Sequence, residues 1–196
     1  MDMTTFIICV SIGTFSFTSV YWIKSFERKF RRDKTRRVDY FITKNKVNVD
    51  KFYSGVESDL IYDEETESIW YFTLRDDRLR YKQIPYEDIY RVEYRLDGVI
   101  VDAVERSGPS RLEMVGGEAP ASKLEMQSFI HLKDKVRAVK QIKLKVFLDD
   151  MEATSFDVLF DYWYIPKEVK RLKKNDALEW LQVFKNIIQI EERKQA

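Results

Sequence analysis

Hydrophobic and polar positions divide the chain into stretches with three different patterns. From Met3 to Ile23 run 21 residues without a charged side chain. A helix rises about 1.5 Å per residue, so this stretch is just long enough to cross a hydrocarbon core of roughly 30 Å. After Arg37 apolar residues recur with period two, and near the C-terminus they recur with helical spacing. The pattern predicts an α+β chain with a transmembrane helix over 1–23, a basic segment over 24–37 and a strand-rich domain over 38–196.

The strand-rich part is predicted to be a series of antiparallel strands with short polar connections. Asp97-Gly98 marks a hairpin, because this dipeptide readily adopts positive φ. Residues 106–122 contain three of the six glycines and two of the four prolines, which predicts a long loop. The predicted strands are Val38–Thr43, Leu60–Tyr62, Ser68–Leu74, Leu79–Ile84, Ile89–Arg95, Val99–Val104, Leu124–Leu132, Val139–Leu148 and Thr154–Phe160.

The last element is predicted to be an amphipathic helix over 175–194. Asn175 or Asp176 can cap it, and Asp176 with Glu179 has the spacing of a capping box. Its broad apolar face requires a sheet to cover it. The residues of that face are Ala177, Leu178, Trp180, Leu181, Phe184, Ile187 and Ile188.

The uncharged N-terminal stretch has alternative interpretations. A cleaved signal peptide needs a basic start and a small-x-small site, but the only early charge is Asp2 and no such site follows. Cys9 follows Phe6-Ile7-Ile8 rather than the small residues that precede a lipoprotein cysteine. A buried helix of a water-soluble protein stays open. The length and the abrupt change to basic residues favour a membrane anchor.

Charge is distributed unevenly along the chain. Residues 1–37 hold eight basic and three acidic side chains, whereas the remainder has 26 basic and 30 acidic ones. The mildly acidic body predicts no nucleic-acid partner. Basic residues that flank a span stay in the cytoplasm, so we expect a single-pass cell-membrane protein with its N-terminus outside. The residues expected to contact the membrane and its anionic lipids are Tyr21, Trp22, Lys24, Arg28, Lys29, Arg31 and Arg32.

The order of strands followed by one helix resembles bacterial pleckstrin-homology-like domains. Ile84-Pro85-Tyr86-Glu87-Asp88-Ile89, leading into Val92-Glu93-Tyr94 and Asp97-Gly98, is similar to a stretch that recurs in them. The resemblance spans roughly residues 50–194 and implies a barrel or sandwich of two bent sheets closed by the C-terminal helix. It also implies binding, scaffolding or protection at a membrane, as in small immunity proteins, and it implies no catalytic residue.

Residues with catalytic potential are scattered. His131 is the single histidine and Cys9 the single cysteine, so neither a zinc site nor a disulfide within the chain is predicted. The carboxylate pairs Asp76-Asp77, Glu87-Asp88 and Asp149-Asp150 lie in predicted turns, where aspartate commonly caps the backbone. We predict no catalytic residue, no metal and no cofactor.

The favoured hypothesis is a non-enzymatic, membrane-anchored cytoplasmic module that binds a lipid or another membrane protein. Tyr162, Trp163 and Tyr164 are its candidate partner-binding residues, because Trp and Tyr are enriched in binding hot spots, although packing under the helix also explains them. One alternative is a small membrane-associated enzyme that uses surface carboxylates. Another is a transmembrane-helix subunit that regulates a channel or transporter through its small residues Ser11, Gly13-Thr14 and Thr18.

Overall fold

A computed structural model describes Trp22, Ser25 and residues 29–55, 57–76, 78–108, 141–150, 154–162 and 167–195. These residues form two compact units that divide between Val47 and Asn48. The first unit contains helix α1 over 29–45. The second contains eight described strands and a C-terminal helix. None of the helices within the described ranges has the length and apolar character needed to span a bilayer.

Helix α1 shows that the strand predicted at Val38–Thr43 is wrong. Residues 38, 41 and 42 are apolar, and this spacing suits one face of a helix as well as a short strand. The helix ends at residue 45 in a Schellman-type turn, because Lys46 has φ 53° and the Val47 N–H donates to the Ile42 carbonyl at 3.2 Å. The Asn45 side-chain amide donates a hydrogen bond to the Phe41 carbonyl at 2.8 Å.

The second unit is an α+β fold with two four-stranded antiparallel sheets. The first sheet has the order β1-β2-β3-β4, and the second has the order β6-β5-β7-β8. The first strands are β1 (Lys51–Ser54), β2 (Ser58–Asp63), β3 (Ser68–Arg75) and β4 (Arg78–Pro85). A 3₁₀ turn (Tyr86–Asp88) leads to β5 (Ile89–Leu96), β6 (Val99–Glu105), β7 (Gln141–Leu148) and β8 (Ser155–Tyr162).

Seven of the predicted strands are confirmed within a few residues of their predicted ends, whereas Leu124–Leu132 lies outside the described residues. The prediction missed β1, which is only four residues long. The Asp97-Gly98 hairpin is confirmed, since both residues have positive φ, at 51° and 83°. The described strands form two open sheets and no closed barrel.

Helix α2 (Lys167–Gln195) packs its apolar face mainly on β5, β7 and β8. It begins eight residues before the predicted start, so the cap predicted at Asn175 or Asp176 is wrong. Asp176 instead lies inside the helix, where it pairs with Lys173 at 3.4 Å. The polar Lys167–Lys174 segment has little apolar periodicity to announce a helix, but it continues the same backbone hydrogen bonding.

The core lies where α2 meets the inner faces of the two sheets. Trp180 and Phe184 are fully buried in it, with ring centroids 6.2 Å apart. Tyr53 joins the sheets, because its ring lies 4.3 Å from Phe160 and its hydroxyl donates to the Leu159 carbonyl at 2.9 Å. The helix and both sheets therefore share one continuous apolar interior.

Replacing Trp180 tests the importance of this helix-to-sheet contact. We expect Trp180→Ala to lower the free energy of unfolding by about 3–5 kcal/mol, because it removes a fully buried ring and leaves a cavity. Urea unfolding of the full chain in mild detergent, followed by circular dichroism, measures the change. Leu178→Ala is the control, since Leu178 is on the same helix but 40% exposed. An equal loss in both variants would contradict the assignment.

Tyr94 makes stability sensitive to alkaline pH. Burial raises its pKa from 10.0 to about 12, and its hydroxyl has no hydrogen-bond partner among the described residues. A raised pKa means that folding favours the neutral phenol. The contribution of Tyr94 to the free energy of unfolding is therefore complete below pH 10 and is lost as the pH rises towards 12. We expect Tyr94→Phe to flatten this fall in stability, measured by urea unfolding at several pH values. An unchanged slope would contradict the prediction.

Candidate functional site

A groove of about 660 Å³ opens between the β3–β4 hairpin and the adjoining ends of β7 and β8. Apolar and aromatic side chains from both sheets line it, namely Tyr71, Ile84, Leu148 and Phe156. Alternation along β3 places Tyr71 on the same face as the core residue Ile69. The groove therefore continues the apolar interior out to the surface.

Tyr71 contacts β8 through both its ring and its hydroxyl. Its ring lies 4.5 Å from Phe156, and its hydroxyl donates to the Asp157 carbonyl at 3.3 Å. Burial is the largest cause of the raised pKa of Tyr71, so this phenol stays neutral at physiological pH. Its ring therefore adds an aromatic surface to the groove.

Basic side chains form one rim of the groove. Arg75, Arg80 and Lys82 line it, and Glu57 is the one acidic residue of its described lining. Lys82 bonds the Asp150 carboxylate, which neutralises it. Among the described residues, Arg75 and Arg80 make no ion pair, so the rim keeps its positive charge. The groove thus combines an apolar floor with a cationic edge.

A buried ion pair holds the strand ends near the 3₁₀ turn. The Arg106 guanidinium contacts the Asp149 carboxylate at 3.1 Å and donates to the Glu87 carbonyl at 2.7 Å. The backbone N–H of Asp149 in turn donates to the Asp88 carbonyl at 2.7 Å. Asp149 and Asp150 therefore hold separate cations, Arg106 and Lys82, and do not converge as a carboxylate pair.

Glu93 is held between two arginines on β5. Its carboxylate oxygens contact Arg91 at 2.7 Å and Arg95, and Arg91 also contacts Glu105 at 2.8 Å. Arg91 therefore links β5 to Glu105 on β6, whereas Glu93 and Arg95 lie on the same strand as Arg91. No group of three or more His, Cys, Asp or Glu side chains forms a metal site in the described ranges.

The predicted membrane-contact residues fall partly within the described helix. Lys29 and Arg32 are exposed on α1, Arg31 is half-buried, and Trp22 is 76% exposed in a described helical position. Lys29 and Arg32 share an exposed face with Arg36 and Tyr40, because successive members lie three or four positions apart. We call these four residues the basic helix face. Tyr21, Lys24 and Arg28 lie outside the described residues.

The structure does not bring the aromatic candidates into a described site. The backbone of Tyr162 ends β8 and pairs with Gln141, whereas Trp163 and Tyr164 lie outside the described residues. His131 and most of the 106–122 loop also lie outside them. Sequence reasoning missed the groove. The available signal was Arg75, Arg78 and Arg80, which are three arginines within six positions around Asp76-Asp77.

Comparison with known proteins adds no relative. No family model, no curated protein and no solved structure matches the chain.

Removing Asp149 tests the buried ion pair. We expect Asp149→Ala to lower the free energy of unfolding by about 3–5 kcal/mol, because the Arg106 guanidinium is left buried without its carboxylate. Asp157→Ala is the matched control, since its pair with Lys143 is half exposed and contributes about 1 kcal/mol or less. Urea unfolding of both variants measures the difference, and similar losses would contradict the prediction.

Proposed function

We propose that the chain is a membrane-anchored, non-enzymatic binding module whose strand-rich body acts in the cytoplasm on a membrane protein or lipid. The observation that carries this proposal is the basic helix face. Lys29, Arg32, Arg36 and Tyr40 are exposed along α1, shortly after an uncharged stretch long enough to cross a bilayer.

Electrostatics and hydrophobic transfer both favour this arrangement. Cations near an anionic leaflet contribute about 1 kcal/mol each, and an exposed tyrosine suits the interface between head groups and water. Tyr21 and Trp22 would form the aromatic belt at the cytoplasmic end of the span. The cations of the segment would hold α1 at the membrane surface and set the orientation of the protein.

The body supports binding rather than chemistry. Its buried charges are paired with one another, Arg106 with Asp149 and Glu93 with its two arginines. Its open groove combines an apolar floor with two arginines, Arg75 and Arg80, that make no ion pair within the described residues. A tethered domain meets its partners at a high effective concentration, so modest contacts suffice for a scaffolding or protective role of the immunity type. The pleckstrin-homology-like order of strands and helix belongs to the same proposal.

Cysteine labelling tests the anchor and its orientation. Cys9 is the only cysteine, so Cys9→Ser gives a background without thiols. We expect a membrane-impermeant maleimide to label an added Asp2→Cys in intact cells, but an added Val99→Cys only after permeabilisation; Val99 is 45% exposed. The protein should resist carbonate extraction and need detergent for release. Recovery in the aqueous fraction, or labelling of Val99→Cys in intact cells, would refute the proposal.

Neutralising the basic helix face tests its part in orientation. We expect Lys29→Gln/Arg32→Gln/Arg36→Gln to invert a measurable fraction of molecules, because cations close to a span retain it in one orientation. Arg75→Gln/Arg78→Gln/Arg80→Gln loses the same charge far from the span and should keep the original orientation. Equal labelling patterns in the two triple variants would contradict the role of this face.

A further inference from the structure

Strand β4 lies at the edge of the first sheet, and β3 is its neighbour in the described part of the chain. Only two residues separate Arg75 from Arg78, which pair across the hairpin, so this pair exchanges backbone hydrogen bonds. Every second residue after Arg78 should therefore also direct its N–H towards β3. Tyr86 agrees with this alternation, because its N–H donates to the Glu67 carbonyl at 3.0 Å. The N–H groups of Leu79 and Gln83 therefore point away from β3.

The end of the strand agrees with this alternation. Pro85 lies two positions after Gln83, so its nitrogen also faces away from β3, and it has no N–H to donate. Proline in a sheet is confined to positions where its nitrogen faces away from the neighbouring strand. Gln83 is exposed. Within the described residues, the outer edge of β4 therefore presents the N–H groups of Leu79 and Gln83, which are a template for another strand.

A row of cations runs beside this edge. Arg78, Arg80 and Lys82 alternate along β4, so they share one face at intervals of roughly 7 Å. Arg75 lies directly opposite Arg78, and like charges at such a position are destabilising. Lys82 is neutralised by Asp150, whereas the three arginines make no ion pair within the residues described. An external anion would remove this repulsion.

The same face leads into the groove. Ile84 follows Lys82 on the inner side of β4, and Leu148 and Phe156 lie across the groove from it. A strand added to β4 would alternate its side chains in the same way as β4 itself. Its inward side chains would meet the arginines near the hairpin and the apolar floor farther along.

We propose that β4 binds an extended acidic segment of a partner protein by strand addition, with carboxylates against Arg75, Arg78 and Arg80 and an apolar side chain in the groove. Main-chain hydrogen bonds supply affinity in this mode, and the alternate side chains supply specificity. The inference deepens the proposed function and rests on the body being a binding module, but it does not depend on the membrane anchor.

The two-residue spacing favours a peptide over a lipid head group. Cations placed at every second position match the repeat of an extended strand, and guanidinium groups bind carboxylates in bidentate fashion. A head group would use neither the backbone N–H groups of Leu79 and Gln83 nor the two-residue repeat of the cations. An anionic vesicle is therefore the competing probe in the experiment.

The experiment uses the full chain in detergent micelles and a short fluorescent peptide that alternates glutamate with valine. We expect saturable binding by fluorescence anisotropy, and none for the peptide that alternates lysine with valine. Arg75→Gln/Arg80→Gln should weaken binding about tenfold or more, because two charge-assisted contacts are lost. Lys174→Gln/Arg193→Gln removes the same charge from the exposed surface of α2 and should leave binding unchanged.

A proline at the outer edge tests strand pairing itself. Gln83→Pro removes an outward N–H without touching the β3–β4 hydrogen bonds, and Gln83→Ala removes the same side chain but keeps the N–H. We expect Gln83→Pro to abolish peptide binding and Gln83→Ala to retain it, with circular dichroism showing that both variants fold. Equal affinities of the two folded variants would refute strand addition.

Two further results separate this inference from the proposed function. Binding of phosphatidylserine vesicles through Arg75 and Arg80, without binding of the acidic peptide, would overturn the peptide assignment. Peptide binding that persists when the protein fractionates with the aqueous phase would support the inference while refuting the membrane anchor.

Discussion

The contact between α2 and the second sheet is the interaction on which the rest of the body depends. Trp180 and Phe184 are fully buried against strands that are far apart in sequence. A four-stranded sheet with one apolar face cannot stay exposed to water, and an isolated helix of this kind is marginal by itself. Each element is therefore stabilised chiefly by covering the other.

Polar contacts fix how the helix lies on that apolar surface. Lys185 reaches Asp102 on β6 at 2.7 Å, and Glu192 accepts hydrogen bonds from the Ser107 backbone N–H at 2.8 Å and its hydroxyl at 2.6 Å. Hydrogen bonding from Ser107 lowers the pKa of Glu192, so its carboxylate stays charged at neutral pH. Exposed pairs of this kind each contribute about 1 kcal/mol or less, so they select the register of the helix while burial supplies most of the stability.

The same packing explains where the groove lies. The described lining of the groove comes from strands of both sheets, and its floor is formed by apolar side chains that continue the core outward. The β3–β4 hairpin extends beyond this floor and carries arginines that the described part of the protein does not neutralise. In the described part of the chain, the edge strand β4 therefore lies beside a row of arginines that make no ion pair.

Local pattern determined much of this fold. The alternation in Ser68–Leu74 and Val139–Leu148, the Asp97-Gly98 turn and the apolar face around Trp180 each predicted the element that the structure contains. Short or polar segments were less informative. Val38–Thr43 suits a strand and a helix equally well, and Lys167–Lys174 lacks the apolar repeat that would have announced the start of α2.

Only the tertiary structure decided how these elements combine. Strand β7 pairs with β5 across a separation of about fifty residues, and this pairing brings Asp149 to Arg106 and places Leu148 and Phe156 opposite β4. Periodicity tells which face of an element is apolar, since that depends on neighbours along the chain. It cannot tell which strands become neighbours, because strand order depends on packing between distant segments. The sequence therefore specified the strands and the helix, whereas long-range packing created the groove and the arginine-lined edge.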